Sequence, residues 1–220
     1  MAAAEPLRIY CIGDSITQGG RSDRLEFTYR LPLQEMLVDR GVNFEFIGSR
    51  SMGVDPDASW PEVRGRPFDP AHEGYYGATT DYVCAQVRTV LPGLPAPDVA
   101  LIHLGTNDQN ARDFEEALIK PLMEMVSMLR RKNPRVAIFL GHLNFNGGPA
   151  LLMRPLIENL ASQHHHSQSP VVTVPHYQGW KAHPDDPASD TFDWVHPNPR
   201  GQQKMAEAWL AAMTQTIPRL

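Results

Sequence analysis

Cysteine is scarce in this chain: only Cys11 and Cys84 occur among 220 residues. Two isolated thiols supply neither a disulfide framework nor a C-x-x-C zinc site. Cys11 lies in an apolar run, where a free cysteine packs as a small hydrophobe. Long hydrophobic runs are also lacking, and none approaches the ~18 residues of a membrane-spanning helix. Basic excess is absent too. Lysine and arginine number 20 against 25 acids, a net charge of −5 at pH 7, which argues against a nucleic-acid partner. The one tight basic run, Arg130-Arg131-Lys132, reads as a helix end, where cations suit the dipole. Residues 1–6 contain neither a charged n-region nor an apolar h-region, so they do not read as an intact signal peptide. A cytoplasmic chain and a secreted or periplasmic one that has lost its leader both stay open. There is no internal repeat and no low-complexity tract. Hydrophobic residues make up 42% and charged residues 20%, an ordinary globular composition. The length suits one domain over residues 1–220, with 1–6 as a disordered or tag-like start.

What is present is an alternation of apolar β-prone runs and helical patterns. Strands are expected at 7–12, 42–48, 98–105, 136–140 and 170–174. Helices are expected at 27–40, 79–91, 114–132, 150–163 and 199–214. Pro32, Pro121 and Pro155 fall inside three of these helices, so each should start or kink there. Strands alternating with helices imply βαβ units and a parallel sheet covered on both faces. Such sheets place their chemistry in loops at the carboxyl ends of the strands. Two long connections rich in turn residues, 49–74 and 175–191, should be functional or disordered.

Four sequence blocks fall at those strand ends or helix starts. Gly13-Asp14-Ser15-Ile16-Thr17 follows the first strand, placing Ser15 as a nucleophile; an ordinary capped turn fits equally well. Gly74-Tyr75-Tyr76-Gly77-Ala78-Thr79 precedes a helix, where backbone N–H groups can face an anion. Gly105-Thr106-Asn107-Asp108 follows the DVALIHL strand, and the Asn107 amide can donate to developing negative charge. Asp193-Trp194-Val195-His196-Pro197 can fold a carboxylate onto an imidazole, giving a base and its orienter. Each block alone is a weak signal, with an Asx-turn or plain loop as the simpler account.

Taken together and in order, the four blocks resemble the SGNH hydrolase superfamily, the GDSL esterases and lipases, over essentially the whole chain. His72-Glu73-Gly74 before Gly77, the run Ile102 to Asp108, and His196-Pro197-Asn198-Pro199-Arg200-Gly201 look most like its acetylxylan-esterase branch, carbohydrate esterase family 3. The resemblance implies a three-layer α/β/α sandwich with a five-stranded parallel sheet, flavodoxin-like in layout. It implies a catalytic Ser15, His196 and Asp193, and an oxyanion hole from the Ser15 and Gly77 N–H groups and the Asn107 amide. No metal or other cofactor is implied. Asp14, Tyr76 and Trp194 are candidate substrate-binding residues beside these blocks.

Other readings are weaker. An α/β-hydrolase elbow needs G-x-S-x-G, and Thr17 stands where its second glycine belongs. A P-loop lacks its lysine. A metal-dependent deacetylase would need His164-His165-His166 to converge, yet consecutive helical residues point about 100° apart. His103, inside a buried strand, reads as structural. His72 and His142 lie in loops that could reach a cleft, and His176 and His183 have no assignment. A non-catalytic acyl-sugar-binding module would be expected had Ser15, Asp193 or His196 been replaced. A lysophospholipase or thioesterase acting on longer chains would want an apolar groove. The long connections and the loops beside them instead carry Asp55, Asp57, Trp60, Arg64, Arg66, Asp69, Tyr75, Tyr76, Tyr177, Trp180, Asp185 and Asp186. Rings beside charges suit a sugar. The expected partner is therefore a small acyl ester or acetylated carbohydrate, with acetyl the simplest acyl group.

Overall fold

A computed structural model of the chain describes residues 5–218 and residue 220. The expected disordered start lies outside the described residues as far as residue 4. Six parallel strands form one sheet: β1 (Leu7–Gly13), β2 (Phe44–Ile47), β3 (Glu73–Gly74), β4 (Val99–His103), β5 (Ala137–Gly141) and β6 (Val171–Val174). Their order is β2-β1-β4-β5-β6. The five longer strands match the sequence expectation. The two-residue β3 was not anticipated. It pairs with the carboxyl end of β1, Ile12 opposite Glu73 and Gly13 opposite Gly74, beyond the point where β2 stops. A two-residue strand carries no readable alternation, so only its pairing reveals it.

The helices are α1 (Ser15–Gln18), α2 (Arg30–Asp39), α3 (Thr80–Val90), α4 (Lys120–Lys132), α5 (Pro149–His164) and α6 (Pro199–Thr216). Alternation along β1 divides the core in two. Ile9 and Cys11 face α2 and α6, packing with Leu33, Leu37, Met205, Trp209 and Met213. Tyr10 and Ile12 face the opposite layer, with Val83 and Val87 of α3, Leu122, Val126 and Leu129 of α4, and Ile157 and Leu160 of α5. Every residue of β4 and β5 is buried, as both-face coverage requires. Fully burying each of the larger apolar side chains among them, such as Leu101, Ile102, Ile138 and Phe139, stabilises the fold by roughly 1.5–3 kcal/mol.

The prolines set helix starts, as anticipated, with one exception. The span expected from 27 begins at Arg30, because Thr28 adopts a positive φ of 70° and Pro32 then sits in the first turn. Before Pro121 the chain runs through a wide turn at Glu115–Ile119, in which the Lys120 N–H reaches back to the Glu115 carbonyl. Pro121 has no N–H to continue that ladder, and regular α-helix follows it. Pro155 is the exception, standing inside α5.

Both long connections are ordered. The first closes on itself through an Arg50–His72 bridge and contributes Val63 and Phe68 to the α2/α6 core. The second is anchored by buried Asp190, whose Oδ2 accepts from the Lys181 N–H at 2.7 Å and from Lys204 Nζ at 2.6 Å.

Candidate active site

The carboxyl ends of β1 and β4 and the turn before α6 meet in one place. β1 ends at Gly13, where a side chain is sterically impossible: an added Cβ would lie 2.2 Å from Thr17 Oγ1 and 2.7 Å from the His103 carbonyl. The chain turns sharply there into α1. Asp14 caps that helix, its Oδ1 accepting from the Ile16 N–H at 2.9 Å. Asp14 is fully buried, so its expected contact with substrate is not what the structure shows: the carboxylate faces inward as a cap. Burial pushes its pKa up to about 6, against the Ile16 hydrogen bond that pulls it down.

Ser15 is the first residue of α1. Its Oγ lies 3.0 Å from His196 Nε2. His196 Nδ1 is 3.0 and 2.9 Å from the two oxygens of Asp193. The Asp193-to-His196 turn depends on local geometry. Asp193 Oδ1 accepts from the His196 N–H at 2.8 Å and the Val195 N–H at 3.3 Å, while Trp194 adopts a left-handed φ of 73°. That conformation costs a non-glycine residue on the order of 1–2 kcal/mol. Here it folds the acid back beneath the base. Burial alone would raise the Asp193 pKa; the backbone and ring N–H groups of His196, with Arg24, outweigh it and bring it to about 2.

Arg24 was not foreseen. Its Nη2 donates to Asp193 Oδ2 at 2.9 Å and its Nε donates to buried Glu26 at 2.7 Å. Nothing in the sequence links positions 24 and 193. Arg21, on the same short loop, donates to the Tyr76 hydroxyl at 3.1 Å, and the Tyr76 ring stacks on His196.

Two of the expected oxyanion donors, Gly77 and Asn107, lie on loops that are tied together. The Asn107 amide donates to the Ala78 carbonyl at 2.9 Å, which leaves its second amide proton for another acceptor. Asp108 Oδ2 accepts from Thr80 Oγ1 at 2.7 Å and the Thr80 N–H at 3.1 Å, fixing the start of α3. Gln18 Oε1 accepts from the Tyr76 N–H at 2.7 Å, and Gly77 follows with φ 72° and open space beside its Cα. A side chain there would be strained and would stand in that space. Neither the Ser15 nor the Gly77 N–H meets a protein acceptor among the described residues. Asp108 adjoins a residue already singled out; Gln18 and Thr80 carried no signal of their own.

Tyr76 is 42% and Trp194 53% exposed. Trp194 meets His183 edge-on, with ring centroids 4.3 Å apart. The other histidines lie elsewhere in the fold. His72 Nδ1 accepts from the Gly74 N–H and its Nε2 faces the Met52 carbonyl, so it clips the first long connection to β3. His103 pairs with Asn144 through Nε2. His142 and His176 are buried. His164, His165 and His166 do not converge: His165 Nδ1 faces the Val171 carbonyl and His166 Nδ1 accepts from the Ser169 N–H. Among the described residues, no group of three or more His, Cys, Asp or Glu side chains is arranged to hold a metal ion. No helix among them is long and apolar enough to cross a membrane.

Comparison with known proteins places the chain in a family. The model of the GDSL-like lipase/acylhydrolase family matches residues 11–204. A multidomain esterase from Ruminococcus flavefaciens is 26% identical over 95% of the chain, which spans only 28% of that protein's length. In structure the chain is similar to a carbohydrate esterase family 3 protein from Talaromyces cellulolyticus, with TM-score 0.72, 23% identity, and 97% of this chain and 99% of that one covered. It is equally similar to a family 3 carbohydrate esterase from Clostridium thermocellum, with TM-score 0.72, 22% identity and 96% of each chain covered.

Proposed function

The chain belongs to the GDSL-like lipase/acylhydrolase family of esterases, and from that premise we propose that it is a serine esterase removing short acyl groups, most simply acetyl, from a carbohydrate. The single observation that carries the mechanism is the continuous line Ser15 Oγ, His196 Nε2, His196 Nδ1, Asp193, each step at hydrogen-bond distance.

Ser15 Oγ attacks the ester carbonyl as His196 Nε2 takes its proton. Asp193 holds the imidazole with Nδ1 protonated and stabilises the imidazolium that forms. The carbonyl oxygen becomes an oxyanion, received by the Ser15 and Gly77 N–H groups and the free proton of the Asn107 amide. One such donor is typically worth ~10²–10³ in kcat. His196 then returns its proton to the departing alcohol oxygen, leaving an acyl-Ser15 ester. Water, deprotonated by His196, attacks that ester; the bond to Ser15 Oγ breaks, His196 returns the proton to Ser15 Oγ, and the acid leaves.

The short acyl group is supported by the polar and aromatic surroundings of the triad, and by the similarity to carbohydrate esterases. A 4-nitrophenyl ester series tests it. We expect kcat/KM to fall from acetate to butanoate, with octanoate nearly inert. Preference for octanoate would favour a lipase or thioesterase reading. Release of acetate from acetylated xylan, mannan or chitin oligomers would identify the glycan.

A further inference from the structure

Beside Gly77 lies a cleft of about 590 Å³ whose walls include Gln18, Arg50, Tyr75, Tyr76 and Tyr82. Among the described residues no carboxylate lines it, although the chain as a whole is acidic. The Arg50 guanidinium lies over the Tyr75 ring, 4.5 Å from its centroid, and its buried Nε has no hydrogen-bond partner among the described residues. The nearby carboxylate does not serve it. Glu73 is already taken by the Tyr10 hydroxyl at 2.9 Å, the Ser49 N–H at 3.0 Å, Ser49 Oγ at 2.8 Å and the Tyr75 hydroxyl. Arg50 therefore brings a positive charge to the cleft without an ion-pair partner among the described residues. A planar guanidinium held against a ring is preorganised for a carboxylate.

We propose that this cleft is a subsite for a carboxylate borne by the alcohol portion of the substrate, as on a uronate sugar, with Arg50 as the anion's partner and the tyrosine rings beside the sugar. The proposal rests on the short-chain esterase reading above: an acetyl group is far too small to occupy such a cleft, so the group seated next to Gly77 is the alcohol. The charge decides among alcohols, since a neutral sugar would leave the guanidinium desolvated and unpaired.

Binding separates this inference from the catalytic one. Purified Ser15→Ala protein is titrated, by NMR, with methyl glucuronoside and methyl glucoside. The glucuronoside should bind about tenfold tighter, and less so at high salt. Arg50→Gln, made in the same background, should erase the preference, and Arg50→Lys should restore part of it. With active enzyme, kcat/KM for an acetylated glucuronoside should exceed that for the acetylated glucoside by a similar factor. Equal binding and equal kcat/KM for the two sugars in protein with Arg50 intact would overturn the subsite, whether or not the Arg50 variants fold. Failure to hydrolyse any 4-nitrophenyl ester would instead strike the esterase reading, and charge-selective binding to the Ser15→Ala protein would stand without it.

Discussion

Tyr76 lies flat against the imidazole of His196, with ring centroids 5.5 Å apart and planes 10° from parallel. One face of the base is thereby covered by a residue whose neighbour, Gly77, is a proposed oxyanion donor. In the proposed mechanism the same loop thus flanks the base and receives the developing charge. Replacing Tyr76 with Ala should lower kcat/KM for 4-nitrophenyl acetate by ~2–10-fold, the worth of one aromatic pair. Tyr76→Phe keeps the ring and loses only the exposed bond to Arg21, so it should stay within about twofold of the parent. Equal losses in the two variants would show that the hydroxyl, not the ring, matters.

Ser15→Ala should fold normally and lose at least ~10³-fold in turnover. Purified protein checked by circular dichroism and assayed with 4-nitrophenyl acetate decides this. Near-parental activity would sink the serine mechanism.

Asp193 has its pKa drawn down to about 2, so it remains a carboxylate wherever the protein is assayed. A folded-state pKa below the ordinary 3.8 adds stability above about pH 4, which is lost as pH falls through about 2. Titration of Asp193 therefore makes no acidic limb in the rate between pH 4 and 8. Asp193→Asn should cost ~10⁴ in kcat, by loss of the imidazole tautomer. A variant retaining most of its activity would mean that another group orients His196.

Asp14 titrates in the opposite sense. Burial raises it from 3.8 to about 6, so the folded state prefers the protonated form. Its contribution to stability is full below about pH 4 and declines as pH rises to about 6. Two units correspond to about 3 kcal/mol. Asp14→Asn keeps an oxygen for the Ile16 N–H and removes the charge. Its denaturation midpoint relative to the parent should improve progressively between pH 4 and 6, then level off. A difference independent of pH would show that Asp14 is not protonated in the fold.

Four buried histidines push against acid, His72 among them, with burial holding it down to about 2. Burial lowers His103 and His142 to about 4 and His176 well below its ordinary value. The unfolded chain then binds more protons than the folded one, so stability should fall as pH drops from about 6.5 towards 4. His176 meets Trp209 and His103 edge-on, and His176→Phe should flatten the dependence. A parental denaturation midpoint unchanged over this range would refute it.

The sheet was legible because β1, β4 and β5 are apolar runs bounded by glycine, and α3 and α6 repeat buried residues at helical spacing. Residues 27–29 were misread as helix, because the positive φ of Thr28 is imposed by its surroundings: its hydroxyl donates to the Ile16 carbonyl. In the site, Ser15, Gly77, Asn107, Asp193 and His196 were singled out because each occupies a strand end or helix start. Arg24 was invisible, since its partner lies 169 positions away and an arginine in a loop has no signature. Asp14 was misjudged for a related reason. A cap and a substrate ligand look alike in sequence, and burial alone separates them.

The tight turn that joins Asp193 to His196 also determines how the enzyme should fail. Asp193 and His196 occupy one short turn with their own mutual hydrogen bonds, while Ser15 is fixed to the sheet through β1. If the segment before α6 loosens, the pair departs as a unit, and the 3.0 Å gap between Ser15 Oγ and His196 Nε2 opens first. Early heat damage should therefore silence the protein while its sheet and its imidazole–carboxylate pair persist. Cooling should revive it without refolding.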